Sequence, residues 1–172
     1  MRNALKAFDE VYARSLNLSA QNDPDFYALA GDLLATDEVS GLSRFVQHDY
    51  IDRLRHITSV SYMTFRLCRH FSLDTTVGAR AGILHDLYYY DWHENDWSHR
   101  PHGYRHPGFA VKNAKALCGT LDKKTENSIK RHMWPLTVVP PRYAEGYLLC
   151  LADKYCASRE LAECRKNKRK PG

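Results

Sequence analysis

Apolar residues recur at helical spacing along most of the chain. The clearest pattern covers residues 49–71, where one apolar stripe also contains His56 and continues through Val60, Met63, Leu67 and Phe71. Further helices are predicted over residues 2–18, a short segment after Pro24, and residues 76–87, 107–118, 123–132 and 142–163. No alternating strand pattern and no internal repeat is seen. The pattern therefore predicts an all-α fold, a single-domain irregular helical bundle.

Three segments differ in their expected roles. Residues 1–45 are predicted to form an N-terminal helical extension packed on the core, and residues 46–164 to form the core domain itself. Residues 165–172 are predicted to be a basic, flexible tail. A mixed polar and aromatic loop, residues 87–105, interrupts the helices, and Pro107 is expected to begin the helix that follows it.

Composition narrows the class of protein. A chain of 172 residues with 44% hydrophobic and 26% charged residues is typical of one globular domain, not of a disordered or collagen-like chain. No apolar run approaches the roughly 20 residues of a membrane span, and the N-terminal residues lack the features of a signal peptide. We therefore expect a cytoplasmic protein that has no membrane partner.

Charge and cysteine content exclude further classes. The net charge of +5 equals the five basic residues of segment 165–172, so the rest of the chain is close to neutral. Nucleic-acid binding is thus expected only through that tail, if at all. The five cysteines contain no CxxC pair, which argues against both a disulfide framework and a thiolate zinc site.

Several polar residues occupy helix positions or helix ends where soluble helical proteins usually carry aliphatic side chains. These residues are the predicted metal ligands: His56, His85, Asp86, His106, His132 and Asp153. Burial of such groups is costly unless a cation or strong hydrogen bonds compensate. Each also has an ordinary alternative, since His56 could be a core histidine, Asp153 could pair with Arg80 or Lys154, and His132 could cap a helix C-terminus.

The order of these residues resembles the HD-domain phosphohydrolase superfamily from about His48 to Glu160. RLRHITSV resembles the helix of the first histidine, AGILHDLYYYD the His-Asp segment, and LADKYCASRE the closing aspartate helix. His106 in GYRHPGFA and His132 in IKRHMWPL resemble the dinuclear branch, which includes cyclic-dinucleotide phosphodiesterases and bacterial symmetrical diadenosine-tetraphosphate hydrolases. The glycine-tyrosine-proline motif of the former group is absent. The resemblance implies an HD-domain fold, and the predicted N-terminal helices and the basic tail lie outside it.

The resemblance also implies a metal-dependent reaction. One divalent ion would be held by His56, His85, Asp86 and Asp153, and adding His106 and His132 would allow two ions bridged by Asp86. Imidazole and carboxylate ligands suit iron, manganese, cobalt or zinc, and the resemblance favours iron or manganese. The expected reaction is hydrolysis of a phosphoester or phosphoanhydride bond in a small phosphorylated substrate, with a nucleotide favoured, by a metal-bound hydroxide.

Asp86 and Asp91 are the predicted catalytic residues. Asp91 could act as a general acid or orient a ligand histidine, although an exposed loop carboxylate is an equally simple interpretation. The predicted substrate-binding residues adjoin the proposed ligands and could bind phosphate oxygens: His102, Arg105, Lys130 and Lys154. The aromatic residues of loop 87–105 could stack a nucleobase or form a hydrophobic lid.

Other functions are compatible with the same residues. A catalytically silent module of the HD fold would bind metal and nucleotide without product formation. A dinuclear oxygenase could use a similar ligand set. A nucleic-acid-associated factor would depend on the basic tail, and its binding would weaken steeply with salt.

Overall fold

The helix Arg53–His70 lies at the centre of the fold and packs against the helices Arg2–Ser15, Thr75–Leu84 and Ala144–Lys168. The computed structural model describes residues 2–48, 50–94 and 96–168. In these residues the α-helices are α1 (Arg2–Ser15), α2 (Pro24–Leu34), α3 (Asp37–Ser40), α4 (Arg53–His70), α5 (Thr75–Leu84), α6 (His102–Cys118), α7 (Lys123–Arg131) and α8 (Ala144–Lys168). The all-α prediction is confirmed.

Aspartate side chains fix the start of three helices that carry the site. Asp52 accepts a hydrogen bond from the Arg55 backbone at the start of α4. Asp74 does the same for the first turn of α5, and Asp122 for the first turn of α7. These bonds satisfy backbone N–H groups that have no partner within the helix. The caps thereby set where each helix begins and which residues follow its last turn.

Helices α4 and α5 pack closely because small residues lie between them. A Cβ atom at Gly82 would overlap the backbone of Ser61, and one at Gly78 would lie 2.7 Å from the sulfur of Cys68. The Ser61 hydroxyl donates to the Ala79 carbonyl across the same contact, at 2.6 Å. This close approach brings the first turn of α4 near the C-terminal end of α5.

The N-terminal helices share the core of the molecule. Phe26, Ala30 and Leu33 of α2 are buried in the same apolar cluster as Val60 of α4 and Leu149 of α8. Helix α2 therefore contributes side chains to the common interior.

Several predicted boundaries were wrong. A short antiparallel hairpin, β1 (Val46–His48) and β2 (Ile51–Asp52), was not predicted, because strands of three and two residues are too short to show alternation. Helix α4 begins at Arg53, and Asp49, where the predicted helix began, lies outside the described residues. Helix α6 begins at His102 and contains Pro107 inside it.

The end of the chain also differs from the prediction. Helix α8 continues to Lys168, so residues 165–168 of the predicted tail are helical. Residues 169–172 of that segment lie outside the described residues. None of the helices in the described part of the chain combines the length and the apolar character needed to cross a membrane.

Candidate metal centre

Five helices bring the six predicted ligands together. His56 lies in the first turn of α4, His106 lies within α6, and Asp153 lies in the middle of α8. His85 and Asp86 directly follow α5, and His132 directly follows α7. All are buried except Asp153, whose side chain is 14% exposed.

The first group of ligand atoms surrounds the Asp153 carboxylate. The Oδ1 atom of Asp153 lies 3.3 Å from Nε2 of His56 and 3.8 Å from Nε2 of His85. The same His85 nitrogen lies 3.7 Å from Oδ2 of Asp86. We call these four residues, His56, His85, Asp86 and Asp153, the first ligand group.

The second group uses the other oxygen of Asp86. Its Oδ1 atom lies 3.2 Å from Nε2 of His106 and 3.6 Å from Nε2 of His132. The two histidine nitrogens are 2.8 Å apart. Asp86, His106 and His132 form the second ligand group, and Asp86 belongs to both groups.

Hydrogen bonds at Nδ1 orient three of the histidines. His85 donates to the Gly82 carbonyl, His106 to the His102 carbonyl and His132 to the Ile129 carbonyl, each at 2.8 Å. A backbone carbonyl can only accept, so the proton of each neutral ring lies on Nδ1. The lone pair is then on Nε2, which points into the cluster in the form that binds a metal.

The unsatisfied atoms of the cluster fit a cation. His56 Nε2, His85 Nε2 and Asp86 Oδ1 are buried and have no hydrogen-bond partner. In the neutral rings of His106 and His132, two lone pairs would face each other at 2.8 Å, which requires a proton or a cation between or beside them. Imidazole and carboxylate donors suit a divalent transition metal. These buried groups could therefore hold a metal ion.

Electrostatics favour the metal-binding forms of the carboxylates. Burial raises the pKa of Asp86, but His85 and the hydrogen bond with His106 outweigh that effect and hold this pKa well below its ordinary value. Burial likewise opposes ionisation of Asp153, yet His56 and His85 lower its pKa overall. Burial, together with His106, lowers the pKa of His132 to about 3, so His132 is neutral near pH 7.

His56 differs from the other histidines because carboxylates flank it on both sides. Burial lowers its pKa, but Glu160 and Asp153 outweigh burial and raise the pKa well above its ordinary value. The flanking carboxylates therefore favour positive charge at His56, and a cation bound at Nε2 would supply it.

Sequence reasoning missed two residues that contact the cluster, Glu160 and Gln47, and Arg53, which contacts Gln47. Glu160 is fully buried and accepts a hydrogen bond from His56 Nδ1, at 2.9 Å. The Gln47 side-chain amide donates to Asp86 Oδ2 at 3.0 Å, and its oxygen accepts from Arg53 Nε at 3.1 Å. Glu160 follows Asp153 by two helical turns, a spacing that could have revealed it. Gln47 gave no such signal, because it reaches the site only through the unpredicted hairpin.

The predicted substrate-binding residues are placed differently from one another. Lys154 lies at the edge of the cluster, with Nζ 3.6 Å from Asp153 Oδ2 and 3.0 Å from the His132 carbonyl. The His102 ring stacks on His106, with 4.4 Å between ring centroids. Arg105 is exposed and contacts the Arg100 carbonyl, and Lys130 is exposed.

Asp91 is not brought into either ligand group. Its carboxylate instead accepts hydrogen bonds from the backbone and from Nδ1 of His93, at 2.9 and 2.8 Å. These bonds lower the pKa of Asp91, so the carboxylate is ionised near pH 7. Its predicted catalytic role stays a prediction.

Comparisons of the chain with models of known protein families, with curated proteins and with solved structures found no match. The fold and the site together define an all-α protein with a buried cluster of histidines and carboxylates that could hold a metal ion.

Proposed function

We propose that this protein is a metal-dependent phosphohydrolase of the HD type. Its proposed reaction is hydrolysis of a phosphoester or phosphoanhydride bond in a small phosphorylated substrate, with a nucleotide favoured. The observation that carries the proposal is the meeting of all six predicted ligands in one buried cluster, with Asp86 shared between two groups. A carboxylate with one oxygen in each group suits two adjacent metal ions.

Different residues of the chain would bind the metal ions and the phosphate at such a centre. His56, His85, Asp86 and Asp153 would hold one ion, and Asp86, His106 and His132 would hold the other. Bound divalent ions would supply a hydroxide at neutral pH and offset charge on the phosphoryl group. Lys154 would add a positive charge beside Asp153, the most exposed ligand. A phosphate reaching the cluster on this side would meet that ammonium group.

The surroundings of His102 support a nucleotide as the substrate. A cavity of about 590 Å³ is lined by Trp92, Trp97, Arg100, Pro101 and His102. His102 in turn stacks on His106 of the second ligand group. Aromatic walls and a guanidinium suit the face of a nucleobase. The cavity is therefore a suitable place for the base of a substrate whose phosphates reach the metal ligands.

A substrate screen tests the proposed function. The purified protein would be loaded with Mn²⁺ or Fe²⁺ and offered bis(p-nitrophenyl) phosphate, nucleoside phosphates and dinucleotides. We expect metal-dependent hydrolysis that Asp153→Ala reduces by at least about 10- to 100-fold, the loss typical of residues that only orient a ligand, since this variant loses a ligand itself. Asp25→Asn is the control, because this carboxylate is exposed and pairs with Arg69 away from the cluster. A wild type that binds metal but hydrolyses none of these compounds would contradict the proposal.

The burial of the cluster favours one second candidate, a module that binds metal and nucleotide without turnover. Asp86 is 5% exposed, and His56 and His132 are each 1% exposed, so little of the cluster is open to a substrate. This candidate gives tight metal and nucleotide binding by calorimetry and no product in the screen.

A further inference from the structure

Glu160 is a buried carboxylate whose hydrogen-bonding partner is a proposed metal ligand. Its side chain is fully buried in α8, and both of its oxygens lie near Nδ1 of His56, at 2.9 and 3.1 Å. A carboxylate without a cationic or hydrogen-bonding partner would be costly at this depth. Since the carboxylate can only accept, His56 donates the Nδ1 proton and turns Nε2 toward Asp153.

The Nδ1 atom of His56 has a different kind of hydrogen-bond acceptor from that of the other three histidines of the cluster. His85, His106 and His132 each donate Nδ1–H to a neutral backbone carbonyl. Only His56, among the described histidines of the two ligand groups, donates to a carboxylate. A negative charge behind an imidazole fixes the ring orientation and makes the opposite nitrogen a stronger donor. The two ligand groups are thus electrostatically unequal.

We infer that Glu160 is a positioning residue that holds His56 in its metal-binding orientation and strengthens the ion site of the first ligand group. This inference rests on the metal binding, and not on the hydrolysis, of the function proposed above. The first ligand group then combines the carboxylates of Asp86 and Asp153 with a third negative charge behind His56. The second ligand group has only the shared charge of Asp86. An ion in the first ligand group is therefore bound more tightly than an ion in the second.

The same residues argue against a third ion between His48, His56 and Glu160. These three side chains lie close enough to share a cation. However, Nδ1 of His56 is at hydrogen-bonding distance from Glu160, whereas Nε2 of His48 is 3.8 Å from the same carboxylate. An ion at Nδ1, with another ion at Nε2, would require His56 to lose both of its protons. A hydrogen bond from His56 to Glu160 avoids that cost.

Metal affinity tests the inference without any measurement of activity. Mn²⁺ binding to the wild type, Glu160→Gln and Glu160→Ala would be measured by competition with a chelator. We expect Glu160→Ala to weaken the binding of one ion by about 10- to 100-fold and to leave the affinity for the other ion unchanged. Losses of this size are typical when a residue that orients a metal ligand is removed. Glu160→Gln keeps an acceptor but removes the charge, so its effect should be smaller. The visible spectrum of the Co²⁺-loaded variants should change as His56 loses its fixed orientation.

Glu163→Ala is the matched control. It removes a carboxylate from the same helix, but this one pairs with Arg55 and is 38% exposed. It should bind Mn²⁺ with wild-type affinity. Thermal unfolding in the presence of chelator checks that each variant folds. If Glu160→Ala does not fold, the affinity of Glu160→Gln alone tests the inference.

Two outcomes overturn the inference. Wild-type Mn²⁺ affinity in both folded Glu160 variants means that Glu160 does not support the metal site. Loss of one whole equivalent of metal in both Glu160→Ala and His48→Ala means that these residues hold a third ion. If the Glu160 variants weaken binding but the wild type hydrolyses nothing, the proposed function fails and the inference stands.

Discussion

Each histidine of the cluster has its role set by the partner of its Nδ1 atom. For His85 and His132 that partner is a carbonyl three residues earlier in the chain, at the C-terminal end of a helix. Carbonyls of the last helical turn have no partner within the helix and are free to accept. The free carbonyls at the C-terminal end of a helix therefore orient the histidine that follows it. This explains why two of the ligands directly follow helices.

Asp86 is the residue on which both ligand groups depend. Asp86→Ala should remove both ions, because each group loses a carboxylate oxygen and the second loses its only one. His132→Ala should remove one ion, since His132 belongs to the second group alone. Elemental analysis of gently purified protein measures this directly. Two equivalents retained in Asp86→Ala would exclude the shared-carboxylate arrangement.

At the scale of elements, helix contacts determine whether the ligands can meet. Helices α4 and α5 carry three of the four residues of the first ligand group, and Gly82 allows their backbones to approach. Helix α7 carries His132 just beyond its last turn, and Asp122 caps its first turn. A change at Gly82 or at Asp122 should therefore affect the ligand groups although neither residue belongs to them.

Gly82→Ala should destabilise the protein and weaken metal binding. The added Cβ would overlap the Ser61 backbone, which cannot yield as a flexible side chain could. Overpacking of this kind costs about 1–3 kcal/mol, and it would push His56 and His85 apart. Gly108→Ala is the control, since a Cβ there meets no atom within 4 Å. Urea unfolding and Mn²⁺ titration of both variants measure the two effects. Equal stability of the two variants would contradict the close helix contact.

The cap of α7 gives a prediction with a pH dependence. Asp122→Ala should reduce the free energy of unfolding by about 1 kcal/mol at pH 7, while Asp122→Asn should retain most of the cap. Burial raises the pKa of Asp122, but hydrogen bonds from Thr125 and Lys124 outweigh it and lower the pKa below its ordinary value of 3.8.

A lowered folded-state pKa means that the charged cap stabilises the protein above the unfolded-state pKa, and that this stabilisation is lost as pH falls through the folded-state value. The advantage of wild type over Asp122→Ala should therefore decrease below about pH 4. Chemical unfolding of the three proteins between pH 3 and pH 7 tests this. A constant difference across that range would show that the charge of Asp122 contributes nothing.

At the scale of the whole molecule, one apolar core supports all the helices that carry ligands. Phe26 of α2 is fully buried and packs against the rings of Tyr62 and Phe65 on α4. On another side, the Tyr155 hydroxyl of α8 donates to Asp9 of α1. The N-terminal helices therefore help to hold α4 and α8, which present His56, Asp153 and Glu160.

Phe26→Ala should cost about 3–5 kcal/mol of stability, as is typical when a large buried aromatic side chain is removed. Phe71→Ala should change stability by no more than about 0.5 kcal/mol, because Phe71 is 55% exposed at the end of α4. Thermal and urea unfolding compare the two variants. A small effect of Phe26→Ala would mean that residues 1–45 are only loosely attached to the core.

The sequence by itself determined the helical class and the six candidate ligands. Helical periodicity is a local property, so the spacing of apolar residues predicts the apolar stripe of α4. The same spacing identifies His56 as a polar residue within that stripe. Helix boundaries were predicted less well where local signals conflicted. Proline is common at the start of a helix, so Pro107 is expected to begin α6, although the helix begins earlier, at His102.

Only the tertiary structure decided how the ligands divide into two groups and what supports them. Asp86 directs one oxygen to each group because three helices meet around it, and no local pattern encodes that geometry. Gln47 reaches Asp86 from a hairpin too short to show a period, and Glu160 reaches His56 across 104 residues of chain. Contacts of this kind depend on how helices pack, which is set by the shape of the whole core and not by the spacing of residues along any one element.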